Sequence, residues 1–162
     1  MRATRPDHCA GFIPRFELLI HEIIPELRRL DLPAGLVHGD IFPDNTLFQR
    51  DQLVAVLDFG QVCRDAFLFD VAMTLHGFCI DQNNHTDVDT ARAFVSAYQS
   101  QRPLTDAEKS ALPLYLRWCP LAMAAWHFPR FADNPNARQK TRIRELLDRA
   151  DNHFSIDDIV PA

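Results

Sequence analysis

Apolar residues Phe16, Leu19, Ile20, Ile23, Ile24 and Leu27 recur at three- and four-residue steps, which predicts an amphipathic helix over residues 14–30. Pro25 falls inside that pattern. It has no amide hydrogen and crowds the preceding turn, so it is expected to kink or divide the helix. Residues 31–35 (DLPAG) then stop it. The period changes next: Leu36-Val37 reads as extended, and residues 46–48 and 53–57 read as two short strands. The polar Gln49-Arg50-Asp51-Gln52 joins those strands at hairpin length. Helical spacing returns with a mostly buried helix starting at Asp70, its N-cap. A helix over 87–98 follows, with Val88, Ala91, Val95 and Tyr98 on one face. Thr105 and Glu108 have the spacing of a capping box for a helix over 106–126, which Pro113 and Pro120 should interrupt. Residues 127–130 (HFPR) read as a turn. Residues 133–136 open a last helix with Ile143, Leu146, Leu147, Ala150 and Phe154 inward. Residues 1–12 have no period and read as a loose lead-in. The expected fold is α+β and mostly helical, one domain over residues 1–162 holding one small β-hairpin.

Composition changes this picture little. The 162 residues are 47% hydrophobic and 24% charged, an ordinary globular balance with enough chain to bury a sizeable core. A net charge of −5 argues against a nucleic-acid surface, which would need a clustered basic stripe. No apolar run has the length of a membrane span, and no signal-type segment follows Met1, so no membrane association and a cytoplasmic location are expected. Cys9, Cys63, Cys79 and Cys119 are scattered without a C-x-x-C pair and read as reduced thiols. The five glycines never cluster into a phosphate-cradling loop. The only two lysines, Lys109 and Lys140, lie late in the chain.

Chemistry concentrates between Gly35 and Gly60. His38-Gly39-Asp40 is followed by Asn45, and, after the hairpin, by Asp58-Phe59-Gly60. That is the H-x-D-x-x-x-x-N pattern followed by D-F-G, the arrangement used for phosphoryl transfer. Such transfer depends on positioning and on neutralising charge. Asp40 would orient the attacking hydroxyl and take its proton. Asn45 offers a neutral oxygen and Asp58 a charged one, both suited to Mg²⁺. Asn45 begins the hairpin and Asp58 follows it, so an antiparallel pair brings them to the same end. His38 is expected to brace the loop backbone, and Asp70 to support the site by bonding back to the loop. Asp44, in a Pro-Asp-Asn sequence, reads as turn chemistry. The remaining histidines lack ligand spacing.

Beyond these residues, the chain resembles the aminoglycoside-phosphotransferase and choline-kinase-like superfamily, and within it the type II homoserine kinases. The resemblance runs from about residue 14 to 154. It is carried by residues 38–45 (HGDIFPDN), 56–59 (VLDF), 69–72 (FDVA), 98–105 (YQSQRPLT) and 126–130 (WHFPR). It implies the C-terminal lobe of a protein-kinase-like fold, with Asp40 as catalytic base and Asn45 and Asp58 as magnesium ligands. It also implies ATP as donor and a small-molecule alcohol, homoserine first, as acceptor, on the way to threonine. That family's Gly-rich strand pair and phosphate-gripping lysine have no counterpart before His38. The chain therefore reads as the lobe without its N-terminal partner, and is expected to be inactive by itself. The alternatives are a relative that phosphorylates choline or an aminoglycoside, a non-catalytic remnant, and a metal-dependent hydrolase built on His38, Asp40 and Asp58.

Overall fold

A computed structural model describes residues 11–130, 136–151 and 156–160. Their order is α1 (Phe12–Leu27), β1 (Ala34–Val37), β2 (Thr46–Gln49), β3 (Gln52–Val56), β4 (Cys63–Ala66), α2 (Phe67–Phe78), α3 (Val88–Gln101), α4 (Asp106–Arg130), α5 (Ala137–Asp151) and α6 (Ile156–Ile159). Among the described residues the fold is α+β and mostly helical, with two antiparallel strand pairs. Two compact units divide it, one of residues 1–29 and 117–153 and the other of residues 30–116 and 154–162.

The second unit carries the candidate chemistry. Its strands are nested: β2 pairs with β3 as the expected hairpin, and β1 pairs with β4 across the sequence between them. The register sets Thr46 opposite Val56 and Val37 opposite Cys63. Two segments, 38–45 and 57–62, therefore both run between the same two ladders. Helix α2 follows β4 directly and is buried on nearly every side through Leu68, Val71, Ala72, Met73, Thr74, Leu75 and His76. Each fully buried Leu or Val contributes about 1.5–3 kcal/mol, so α2 is the best-anchored element of this unit. Arg102, at the end of α3, binds the fully buried Glu108 carboxylate at 2.8 Å and lies over the Phe67 ring. The Thr105 amide donates to Glu108 at 2.9 Å, and the Glu108 amide donates to the Thr105 hydroxyl at 3.2 Å. That is the capping box at the start of α4.

In the first unit, Arg15 of α1 reaches Asp148 and Asp151 of α5. Arg117 donates to Glu22 and to the Ala150 carbonyl, and Phe12 stacks on Phe128. Asn136 and Gln139 exchange amide-to-side-chain bonds of 2.9 Å, the cap that opens α5. Ile143, Leu146, Leu147 and Ala150 are buried as the spacing predicts, while Phe154 lies outside the described residues.

Several boundaries differ from the pattern's reading. Pro25 does not divide α1: it sits in the last turn, where only one backbone bond is lost before the helix ends at Leu27. Neither Pro113 nor Pro120 interrupts α4, and residues 127–130 are its last turn rather than a separate one. There Arg130 packs over the Trp126 ring and donates to the Trp126 carbonyl, occupying an acceptor at the helix end. Helix α2 begins at Phe67, with Ala66 as N-cap, so Asp70 is not a cap but lies in the first turn.

Candidate active site

The loop from His38 to Asn45 is set by four local facts. Gly39 has φ +78°, a conformation that costs a side-chain-bearing residue energy, and a Cβ there would lie 3.0 Å from the Gln61 carbonyl. Pro43 to Asn45 form one tight turn, closed by the Asn45 amide donating to the Phe42 carbonyl at 2.9 Å. From α2, the Asp70 carboxylate accepts the amides of both His38 and Gly39, each at 2.7 Å. Seven residues further along the same helix face, Gly77 lets the loop come close. A Cβ at that position would lie 2.9 Å from the Phe42 ring and 3.1 Å from the Ile41 carbonyl.

Within the loop, Asp40 and Asn45 are in direct contact. The Asn45 amide nitrogen donates at 2.8 Å to Oδ2 of Asp40 and at 2.8 Å to the Asp40 carbonyl. Two consequences follow. One carboxylate oxygen of Asp40 is held, leaving the other to meet a proton donor. With its nitrogen so employed, Asn45 keeps its carbonyl oxygen, the atom a hard cation would choose, on the other branch of the amide.

The backbone just before Asp58 is tied to this loop. Leu57 is tied at both ends to the first loop: its amide donates to the Asn45 carbonyl at 2.8 Å, and its carbonyl faces Nε2 of His38 at 3.0 Å. A carbonyl only accepts, so Nε2 of His38 donates. Nδ1 then accepts the Asp40 amide at 3.2 Å. One buried imidazole therefore links the backbone of Asp40 to that of the residue before Asp58, and its ring lies 4.8 Å from that of Phe59. Asp58 itself is exposed, with φ +55°, and its carboxylate accepts the Gly60 amide at 3.2 Å.

The structure thus joins Asp40 to Asn45 by a hydrogen bond, ties both to Asp58 through Leu57, and anchors the loop on Asp70. Among the described residues no three His, Cys, Asp or Glu side chains cluster as a metal site. A pair of one amide oxygen and one carboxylate fits Mg²⁺, which completes its shell with water and phosphate oxygens. It does not fit an ion that needs a full protein cage. Asp44 is exposed in its turn. Sequence reasoning missed Gly77 and β4. An isolated glycine inside an apolar helix pattern was the available signal for the first.

Comparison with known families places the sequence independently of this geometry. Residues 3–104 match the model of the APH family, described as the phosphotransferase enzyme family, and the chain belongs to that family. Its relatives include a homoserine kinase of Nitrobacter hamburgensis, 40% identical over 105 residues, which are 65% of this chain and 32% of the relative. A homoserine kinase of a Bradyrhizobium strain is 46% identical over 87 residues, 54% of this chain and 27% of that protein. One from Rhodopseudomonas palustris is 35% identical over 133 residues, 79% and 40% of the two chains. The chain spans about a third of the length of the curated relatives it matches. No described helix is long and apolar enough to cross a membrane.

Proposed function

We propose that this chain is the kinase-like C-terminal lobe of a phosphotransferase that moves the terminal phosphoryl group of ATP to the hydroxyl of a small molecule, with L-homoserine as acceptor and the cytoplasm as its compartment. The observation that carries this reading is the Asn45–Asp40 hydrogen bond, held beside Leu57-Asp58 by His38. In it Asp40 accepts the acceptor's hydroxyl proton, with Asn45 fixing the carboxylate in the orientation that leaves one oxygen open. Asn45 and Asp58 would hold magnesium, which when bound neutralises charge on the phosphates. The names of the relatives support homoserine over choline or an aminoglycoside. Within the chain, Tyr98 and Arg102, which bond to each other and through Arg102 to Glu108, belong to one of the stretches that carry the likeness to homoserine kinases.

The 162-residue chain has lysines only at 109 and 140, both well after the two loops in sequence and none before His38. Alone it should transfer no phosphate at a useful rate, and homoserine-dependent ADP release from the pure chain would contradict that. Fused behind the nucleotide-gripping portion of a relative, it should release ADP with homoserine and far less with choline or kanamycin. In that fusion Asp40→Asn should lower kcat by roughly 10²–10⁴-fold, the size of a lost general base, with an unchanged circular-dichroism spectrum. Near-normal turnover of the variant would remove Asp40 from that role.

A further inference from the structure

Helix α4 carries prolines at 113, 120 and 129 without breaking. A helical carbonyl four residues before a proline has no amide to accept from, and for Pro120 that carbonyl belongs to Leu116. Leu116 is 2% exposed, so water is a poor substitute. The imidazole of His76, also 2% exposed, places Nε2 2.8 Å from this carbonyl. Because a carbonyl only accepts, Nε2 carries the proton and donates. His76 belongs to α2, next to Gly77, against which Ile41 and Phe42 pack, and six residues after Asp70, which holds the His38 and Gly39 amides. Helix α2 thus grips the Asp40 loop from one side and is hydrogen-bonded to α4 at Leu116 from another.

We propose that His76 is a positioning residue for the Asp40 loop: it satisfies the carbonyl that Pro120 strands in α4, and so fixes where α2 presents Asp70 and Gly77 to the loop. The purpose of this arrangement rests on the phosphotransfer reading. Its test does not, because no nucleotide or acceptor is needed.

The test is amide hydrogen exchange on the intact chain by NMR. His76→Leu should speed exchange at His38 and Gly39 by about tenfold or more, the scale of one lost buried hydrogen bond, while Ala91 and Val95 in α3 change less. His76→Gln, whose amide nitrogen reaches the position of Nε2, should restore most of the protection. Pro120→Ala returns to α4 its own donor for Leu116, so it should be silent alone and should rescue His76→Leu in the double variant. If His76→Leu fails to fold but the double variant folds with protected loop amides, the proposal holds in stronger form. It is overturned if loop exchange is unchanged in His76→Leu, if protection falls equally throughout, or if the double variant shows no rescue or does not fold. Failure of the phosphotransfer reading would show elsewhere, as a fusion protein inert toward homoserine with these exchange results intact.

Discussion

The two loops of the candidate site are held in opposite ways. The Asp40 loop is fixed chiefly from α2: two amides end on Asp70 and its backbone rests against Gly77, while within the loop the Asp40 side chain is bonded to Asn45. The Asp58 loop is exposed and shaped by its own short turn, in which Asp58 caps Gly60. A group that must meet a proton at one orientation gains from a rigid mount, because the mount removes reorganisation from the reaction. A carboxylate that takes up a hydrated cation needs open solvent and room for water and phosphate oxygens. The asymmetry is the one that the roles proposed above, base for Asp40 and metal ligand for Asp58, would require.

That contrast can be broken most forcefully at Asp70. Asp70→Asn puts an amide NH₂ against one of two backbone N–H groups, so an acceptor becomes a clashing donor. We expect a loss of about 2–4 kcal/mol in urea unfolding, from two charge-assisted bonds reduced to one. Gly77→Ala should cost less, about 1 kcal/mol net. Crowding of Phe42 and the Ile41 carbonyl costs about 1–3 kcal/mol, and about 1 is returned by alanine's better helix propensity. Asp58→Asn should leave stability within about 0.5 kcal/mol, since the side chain is exposed. It should nevertheless weaken Mn²⁺ binding by about tenfold or more, because one ligand charge is gone. If Asp58→Asn destabilised the chain as much as Asp70→Asn, the contrast between mounted and open loops would fail.

The smallest effect lies outside both loops and serves as a reference. Hydrogen bonds from the Thr90 hydroxyl, and then from its amide, hold the Asp87 carboxylate below its ordinary value. A depressed carboxylate stabilises the fold above its unfolded pKa and loses that contribution as pH falls through the folded one. The Asp87 cap should therefore persist at pH 5 and weaken only below about pH 4, in an NMR titration of its side-chain carbon. A midpoint above the ordinary aspartate range would contradict the capping geometry.

Much of this was legible in the residues, and the parts that were not share a cause. Local patterns gave the hairpin of β2 and β3, the Thr105 cap and the inward face of α5, because those features depend on neighbours a few positions away. Strand β4 was illegible: Cys63-Arg64-Asp65-Ala66 has no alternation, and its partner β1 lies some thirty residues earlier. Of the α4 prolines, Pro120 misled for a related reason. At Pro120 the stranded carbonyl, that of Leu116, is taken over by His76, forty positions earlier in the chain. Asp70 looked like a cap because acidic residues favour helix starts, yet α2 begins three residues sooner, where β4 hands the chain directly to it. The motif residues themselves were readable, but the tie that links the two loops through Leu57 was not, since it uses backbone atoms that every residue has.

Manganese line broadening tests the convergence of these loops most directly. Mn²⁺ added to the ¹⁵N-labelled chain should broaden the Asn45 side-chain amide together with the Phe59 and Gly60 backbone amides, and Asp58→Asn should abolish the effect at both loops. Broadening of one loop without the other, or of neither, would show that Asn45 and Asp58 do not share a cation.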